Sequence, residues 1–163
     1  MKSPFLTIFL TAIITAILTS AFWIAGITVG YVYYTSNYFI GDTPDFAVSV
    51  DSPEQVRIGE EFDLVVKVSN PSEEDLKLGS IDIYDSLLDG FKVLEVIPKP
   101  NEEDSIFEFR SFYFSEELKP QDSVTITFKL KGAKAGVWTG DIDSCTPWEQ
   151  FVTSVQTIVV SAE

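Results

Sequence analysis

Phe62-Asp63-Leu64-Val65-Val66-Lys67-Val68-Ser69-Asn70-Pro71-Ser72 is the stretch that decides the fold class. Phe62, Leu64, Val66 and Val68 alternate with Asp63, Val65, Lys67 and Ser69 until Asn70-Pro71-Ser72 stops the run. A period of two places one set of side chains on a buried face and the other toward water, as in an antiparallel strand. The same pattern recurs on both sides. Phe46, Val48 and Val50 alternate with Ala47 and Ser49, and Ile81 and Ile83 with Asp82 and Tyr84. Val124, Ile126, Phe128 and Leu130 alternate with Thr125, Thr127 and Lys129.

Residues 91–96, 106–114, 137–142 and 151–160 are further strand candidates. Gly59, Asp89-Gly90, residues 98–101, Pro120-Gln121-Asp122 and residues 132–136 supply turns between the runs. Leu87 and Leu88 read as a turn that tucks two leucines under the sheet. Seven or eight short strands without a soluble helix predict an all-β, immunoglobulin-like antiparallel β-sandwich over residues 46–163. About 120 residues suffice for such a core without disulfides.

Upstream the pattern changes completely. Residues 3–41 contain no Asp, Glu, Lys or Arg, and Lys2 is the one charged side chain before Asp42. Residues 5–34 predict a transmembrane α-helix about 45 Å long at ~1.5 Å per residue, ample for a hydrocarbon core that needs ~20 residues. Tyr31, Tyr33, Tyr34, Tyr38 and Phe39 cluster at its far end, where aromatic rings favour the headgroup level. A cleavable signal peptide is the rival reading, with small residues at Thr19-Ser20-Ala21, but the apolar run continues through Ile27, beyond the ~7–15 residues of a secretory core. The expected organisation is a short cytoplasmic start at residues 1–4, the helix at 5–34, a juxtamembrane linker at 35–45 and the sandwich at 46–163. Lys2 and the amino terminus favour the cytoplasmic side, which leaves the sandwich extracytoplasmic on a single-pass cell-membrane protein.

Small and hydroxylated residues recur along that helix. Thr11, Thr15, Thr19, Gly26 and Gly30 fall within about 100° of one another at 100° per residue. Such a stripe lets a second helix approach closely, so these five are the candidate helix-packing residues and imply a helix-mediated oligomer or a membrane partner. Internal bonding of the hydroxyls to the preceding turn is the competing account.

Composition excludes several function classes. The 163 residues hold 25 Asp and Glu against 11 Lys and Arg, a net charge of −14. That balance argues against nucleic acid, whose phosphates need clustered cations, and against docking of the soluble part on anionic lipid. With one cysteine, Cys145, and no histidine, zinc and iron–sulfur sites lack ligands and the usual nucleophilic triads lack a base. No catalytic, cofactor or metal residues are therefore assigned, and the chain is expected not to be an enzyme.

Four segments in order resemble a known family: Ile58-Gly59-Glu60-Glu61-Phe62, Val66-Lys67-Val68-Ser69-Asn70, Asp85-Ser86-Leu87-Leu88-Asp89-Gly90-Phe91, and Leu118-Lys119-Pro120-Gln121-Asp122-Ser123-Val124-Thr125. Together they resemble the conserved-repeat, adhesion-related immunoglobulin-like domains of bacterial and archaeal surface proteins. Those domains typically show a G-D/E start, a V-x-V-x-N strand end, a D-x-L-P-x-G turn and an L-x-P-G-x-S segment. Here Leu88 stands where the turn usually has proline, Gln121 stands where glycine is common, and there is one copy. The resemblance implies a sandwich used as a spacer or adhesion module and brings no catalytic residues.

Acidic groups remain to be weighed. Glu73-Glu74-Asp75 and Glu102-Glu103-Asp104 read as solvated loops. Asp141-x-Asp143 would place two carboxylates on one strand face, where Ca²⁺ could bind with help from a neighbouring loop. The irregular segment 145–151 offers Trp148 and Phe151 as candidate partner or interface contacts, with Trp148 capping the core as the alternative. The expected function is a non-enzymatic, membrane-anchored accessory or structural subunit presenting its sandwich for protein–protein contacts. The alternative is a tethered adhesion or envelope-binding module. A variant resembles the stator subunits of archaeal motility filaments, which also join one helix to a β-sandwich.

Overall fold

A computed structural model of the chain describes residues 4–38, 46–147 and 151–162. It divides into two compact units, Met1–Asp42 and Thr43–Glu163. The first unit holds helix α1, Pro4–Tyr38, which runs four residues beyond Tyr34 into the expected linker. Proline is tolerated in the first turn because its missing N–H would have no partner there. Within α1, Ile8–Val32 is a 25-residue stretch of mean hydropathy 2.2, none of whose residues is buried. Its length and apolarity suffice to cross a bilayer.

The second unit is a two-sheet immunoglobulin-like sandwich. Its elements are β1 (Ala47–Asp51), β2 (Gln55–Arg57), β3 (Glu61–Ser69), β4 (Leu76–Tyr84), α2 (Asp85–Leu88), β5 (Phe91–Ile97), β6 (Glu102–Ile106), β7 (Phe109–Leu118), β8 (Ser123–Gly132), β9 (Gly136–Cys145) and β10 (Phe151–Ser161). One sheet runs β1-β3-β8-β5 and the other β2-β10-β9-β4-β7-β6. Among the described residues every pairing is antiparallel except that of β2 with β10.

The alternating residues face inward as expected. Leu64, Val66 and Val68 of β3 and Ile126, Phe128 and Leu130 of β8 are fully buried against Ile81 and Ile83 of β4, Phe112 of β7, and Ile142 and Ile158. Phe112 and Phe128 meet edge to face, with centroids 5.0 Å apart and ring planes at 69°. Leu87 and Leu88 are both buried, and their turn is the single-turn helix α2. Gly140 of β9 lets α2 lie close: a Cβ there would come within 2.9 Å of Leu87 N.

Three expectations need correction. The described residues contain ten strands rather than seven or eight, because β2 and β6 were not foreseen. Residues 106–114 are not one strand; a two-residue turn at Phe107-Glu108 splits them between β6 and β7. Glu102-Glu103-Asp104 is therefore strand rather than loop, paired with Tyr113, Phe112 and Ser111. The hydrophobic phase also slips by one residue in β4 and β5, where bulges fall between Leu78 and Ser80 and between Val93 and Glu95. Asn70, at the end of β3, is 1% exposed and fully bonded. Its Nδ2 donates to Glu74 O at 2.7 Å and Leu118 O at 2.8 Å, while its Oδ1 accepts from Ser72 N and Ser72 Oγ.

Candidate interaction surface

Register in the six-stranded sheet determines which side chains share its outer face, since directly paired residues project to the same side. One row across the strands is Glu102, Tyr113, Ser80, Cys145 and Phe151. The next is Asp104, Ser111, Asp82, Asp143 and Thr153. A third holds Ile106, Phe109 and Tyr84, with Asp141 and Val155 paired beyond them on β9 and β10. The middle row has only short side chains, and aromatic or branched residues stand in the rows to either side. The outcome is an acidic row of short side chains between partly apolar rows, a groove in outline whose first wall is interrupted at Ser80 and Cys145.

The walls are substantial. Tyr84 and Phe109 pack with centroids 5.6 Å apart. Phe151 is 50% exposed and Val155 is 62% exposed. Of the two contact candidates expected in segment 145–151, Phe151 thus joins this face, whereas Trp148 lies outside the described residues.

The floor is acidic and tightly packed. Asp143 is only 8% exposed, and its Oδ1 accepts from Thr153 Oγ1 at 2.6 Å. Burial raises the Asp143 pKa above its ordinary value; the hydrogen bond from Thr153 opposes that rise, and the charges of Asp141 and Asp82 add to it. Asp82 accepts a weak bond from Cys145 Sγ at 3.4 Å, and its Oδ1 is buried with no hydrogen-bond partner. Burial, followed by the Asp82 charge, pushes the Cys145 thiol far up, so it is a poor nucleophile. The Tyr84 phenol is raised by burial first and then by Asp143, Asp141, Asp82 and Glu108.

Asp141 and Asp143 do share a strand face, and the carboxylate opposite Asp143 is Asp82 of β4 rather than one from a loop. Among the described residues no group of three or more His, Cys, Asp or Glu is arranged to hold a metal ion. At the floor the Asp143 carboxylate is penalised first by burial and then by the charges of Asp141 and Asp82. Because the folded-state pKa of Asp143 is raised, its stabilising contribution is complete below the unfolded pKa and is lost as pH rises through the folded value. Asp143→Asn should therefore raise the melting temperature at pH 7 by a few degrees, on the order of 1 kcal/mol. The difference should vanish near pH 3, which melting curves across that range will check.

At the groove's β6–β7 end stands Phe107. It is 96% exposed and has a φ of 56°. Left-handed backbone costs a side chain with a Cβ about 1 kcal/mol, and two-residue hairpin turns normally use Gly, Asn or Asp there. The alternation Ile106, Glu108 and Arg110 against Phe107 and Phe109 concealed this turn, since no turn-forming residue marks it.

In α1 the threonine hydroxyls bond within the helix. Thr15 Oγ1 donates to Thr11 O at 2.9 Å, and Thr19 Oγ1 to Thr15 O at 2.8 Å. Gly26 and Gly30 face open space, with nothing within 4 Å of an added Cβ. An open polar hollow of about 700 Å³, lined by Gln55, Val56, Arg57, Ile58, Glu60 and Ser161, lies apart from the groove at β2.

No protein-family model matches the chain, and no curated protein matches its sequence. Solved structures do resemble it. The cohesin module of a family 33 glycoside hydrolase from Clostridium perfringens superposes with a TM-score of 0.55 at 10% identity, covering 74% of this chain and 100% of the module. The CARDB domain of the Pyrococcus furiosus PF1109 protein gives a TM-score of 0.46 at 13% identity, covering 76% of this chain and 100% of that domain. At such identities the likeness to the cohesin module shows the fold alone, a two-sheet immunoglobulin-like sandwich.

Proposed function

We propose that the chain is a single-pass, membrane-anchored, non-enzymatic module whose sandwich, outside the cytoplasm, binds a protein through the outer face of its six-stranded sheet. The acidic groove carries this reading. Asp82, Asp141 and Asp143 share the floor, where burial above all, and then the neighbouring charges, penalise the Asp143 carboxylate, and tyrosine, phenylalanine and valine line the walls. Groups retained against stability belong to sites more often than to scaffolding. A protein segment bearing Lys or Arg fits such a groove, with the walls burying its aliphatic stems. The helix serves as anchor and, through Thr11, Thr15, Thr19, Gly26 and Gly30, as a packing element.

Two variants of the intact protein, gently extracted from its native membranes, test both halves. Asp104→Lys/Val155→Lys changes exposed positions at the two ends of the groove and should release a sandwich-bound partner while the circular dichroism spectrum stays unchanged. Gly26→Leu/Gly30→Leu adds side chains where a Cβ meets nothing within 4 Å, so loss of association with helix content unchanged by circular dichroism points to a neighbouring helix. Partners retained by both variants at wild-type levels would refute the reading. An adhesion module that merely needs tethering predicts loss with the first variant and none with the second.

A further inference from the structure

We propose that the β6–β7 hairpin is a docking knob: Phe107 inserts into an apolar pocket of a protein partner whose rim carries lysine and arginine. The inference rests on the outer-face reading above and specifies the chemistry of the partner at one end of that face.

The turn itself motivates it. A phenylalanine in left-handed backbone at 96% exposure neither relaxes the hairpin nor fills the core. Strain that stability does not explain is concentrated at functional positions. The tip is also held in place. Asp85 N donates to Glu108 O at 2.8 Å, tying the turn to α2, and Ile106 pairs with Phe109 directly beneath it. An aromatic ring presented on a fixed backbone loses little freedom on binding, which is what makes such residues anchors.

Charge selects the occupant. Glu108 adjoins the ring in the turn, Asp85 is bonded to the turn and Asp104 lies two residues before Ile106, against the single cation Arg110 two residues beyond Glu108. An anionic bilayer repels that setting, and a second copy of a chain with net charge −14 repels it as well. A basic rim around an apolar pocket is complementary on both counts. The Ile106–Phe109 pair directly beneath the knob adjoins Tyr84 in the outer face, so the turn stands at the end of that surface.

The test places a photoreactive benzoyl-phenylalanine at position 107 of the full chain in its native membrane, with separate probes at Val155 and at Leu94. Val155 reports on the groove, and Leu94, exposed on the opposite sheet, supplies the background. The expected product joins position 107 to a protein segment that holds apolar residues between lysines or arginines. Phe107→Gly should then weaken binding of that purified protein by about 30-fold, with added salt weakening the wild-type complex further. The same variant should melt no lower than wild type, because glycine relaxes the turn. A crosslink at Val155 with none at 107 overturns the knob and leaves the groove standing. Crosslinking of position 107 to lipid, to another copy of the chain or to an acidic segment overturns it as well. Background labelling at both positions removes knob and groove together.

Discussion

Phe128→Ala should cost the sandwich about 4 kcal/mol, the range for emptying a buried phenylalanine site. The ring is fully buried on β8 and meets Phe112 of β7 edge to face, so it joins the two sheets at their centre. Truncation removes that pair and leaves a void whose walls are strand backbones, which cannot collapse inward without disturbing both ladders. Domains of this size are stable by only about 5–15 kcal/mol, so the variant gives up a large share of the total. Phe128→Leu, which retains most of the volume, should lose about 1 kcal/mol. Urea unfolding of the intact chain in micelles, followed by near-ultraviolet circular dichroism, should show both losses as shifts in midpoint at constant slope. Equal stability of wild type and Phe128→Ala would mean that the sheets do not meet through these rings.

Asn70→Asp is nearly isosteric yet should cost about 3 kcal/mol, since two buried bonds become two clashes of like partial charge. The amide nitrogen that now serves Glu74 O and Leu118 O would be replaced by a carboxylate oxygen facing both carbonyls. A buried carboxylate so placed has its pKa raised in the folded state. Its protonated form then supports folding below the unfolded pKa, and that support fades as pH rises through the folded value. The deficit relative to wild type should be largest at pH 7 and shrink toward pH 3. A deficit that is the same at both pH values would mean that Asn70 acts through its shape and not its donors. This single residue also explains the asparagine that closes the V-x-V-x-N strand end: it fastens the end of β3 to the loop after it and to the end of β7.

Residue patterns revealed β3 and β8 well because each keeps a strict period of two from end to end. They revealed only half of β4. Leu76 and Leu78 face inward at even positions, whereas Ile81 and Ile83 do so at odd ones, and the bulge around Gly79 that reconciles them has no periodic signature. The three residues of β2 are too few for any period to show. The β6–β7 turn was illegible for a different reason, since Phe107 occupies a backbone conformation that its side chain disfavours. Gln121 is the instructive contrast. The family resemblance marked it as a place where glycine is common, and its φ of 69° supplies the reason.

The candidate surface was legible only along the chain and not across it. Asp141 and Asp143 alternate on one strand and could be placed on one face from sequence. Asp82 joins them through the pairing of β4 with β9, which depends on sheet order and register. Phe151 was singled out for the irregularity before it, and its place beside Cys145 comes from β10 pairing with β9. Tyr84, Phe109 and Val155 form walls only once the strands are laid side by side.

The acidic strand β6 has one more consequence, for colloidal behaviour. It is an outermost strand, and an outermost strand offers unpaired backbone groups to any extended chain that drifts past. Glu102, Glu103 and Asp104, all exposed, surround those groups with negative charge. The far side of the same sheet is closed by β2, too short to template a neighbour, and β5 on the other sheet is bent by its bulge and followed by Pro98. Three of the four sheet edges are thereby protected against sheet-to-sheet aggregation at high local density, and β1 is the fourth. Part of that protection is electrostatic and weakens as added salt screens the strand.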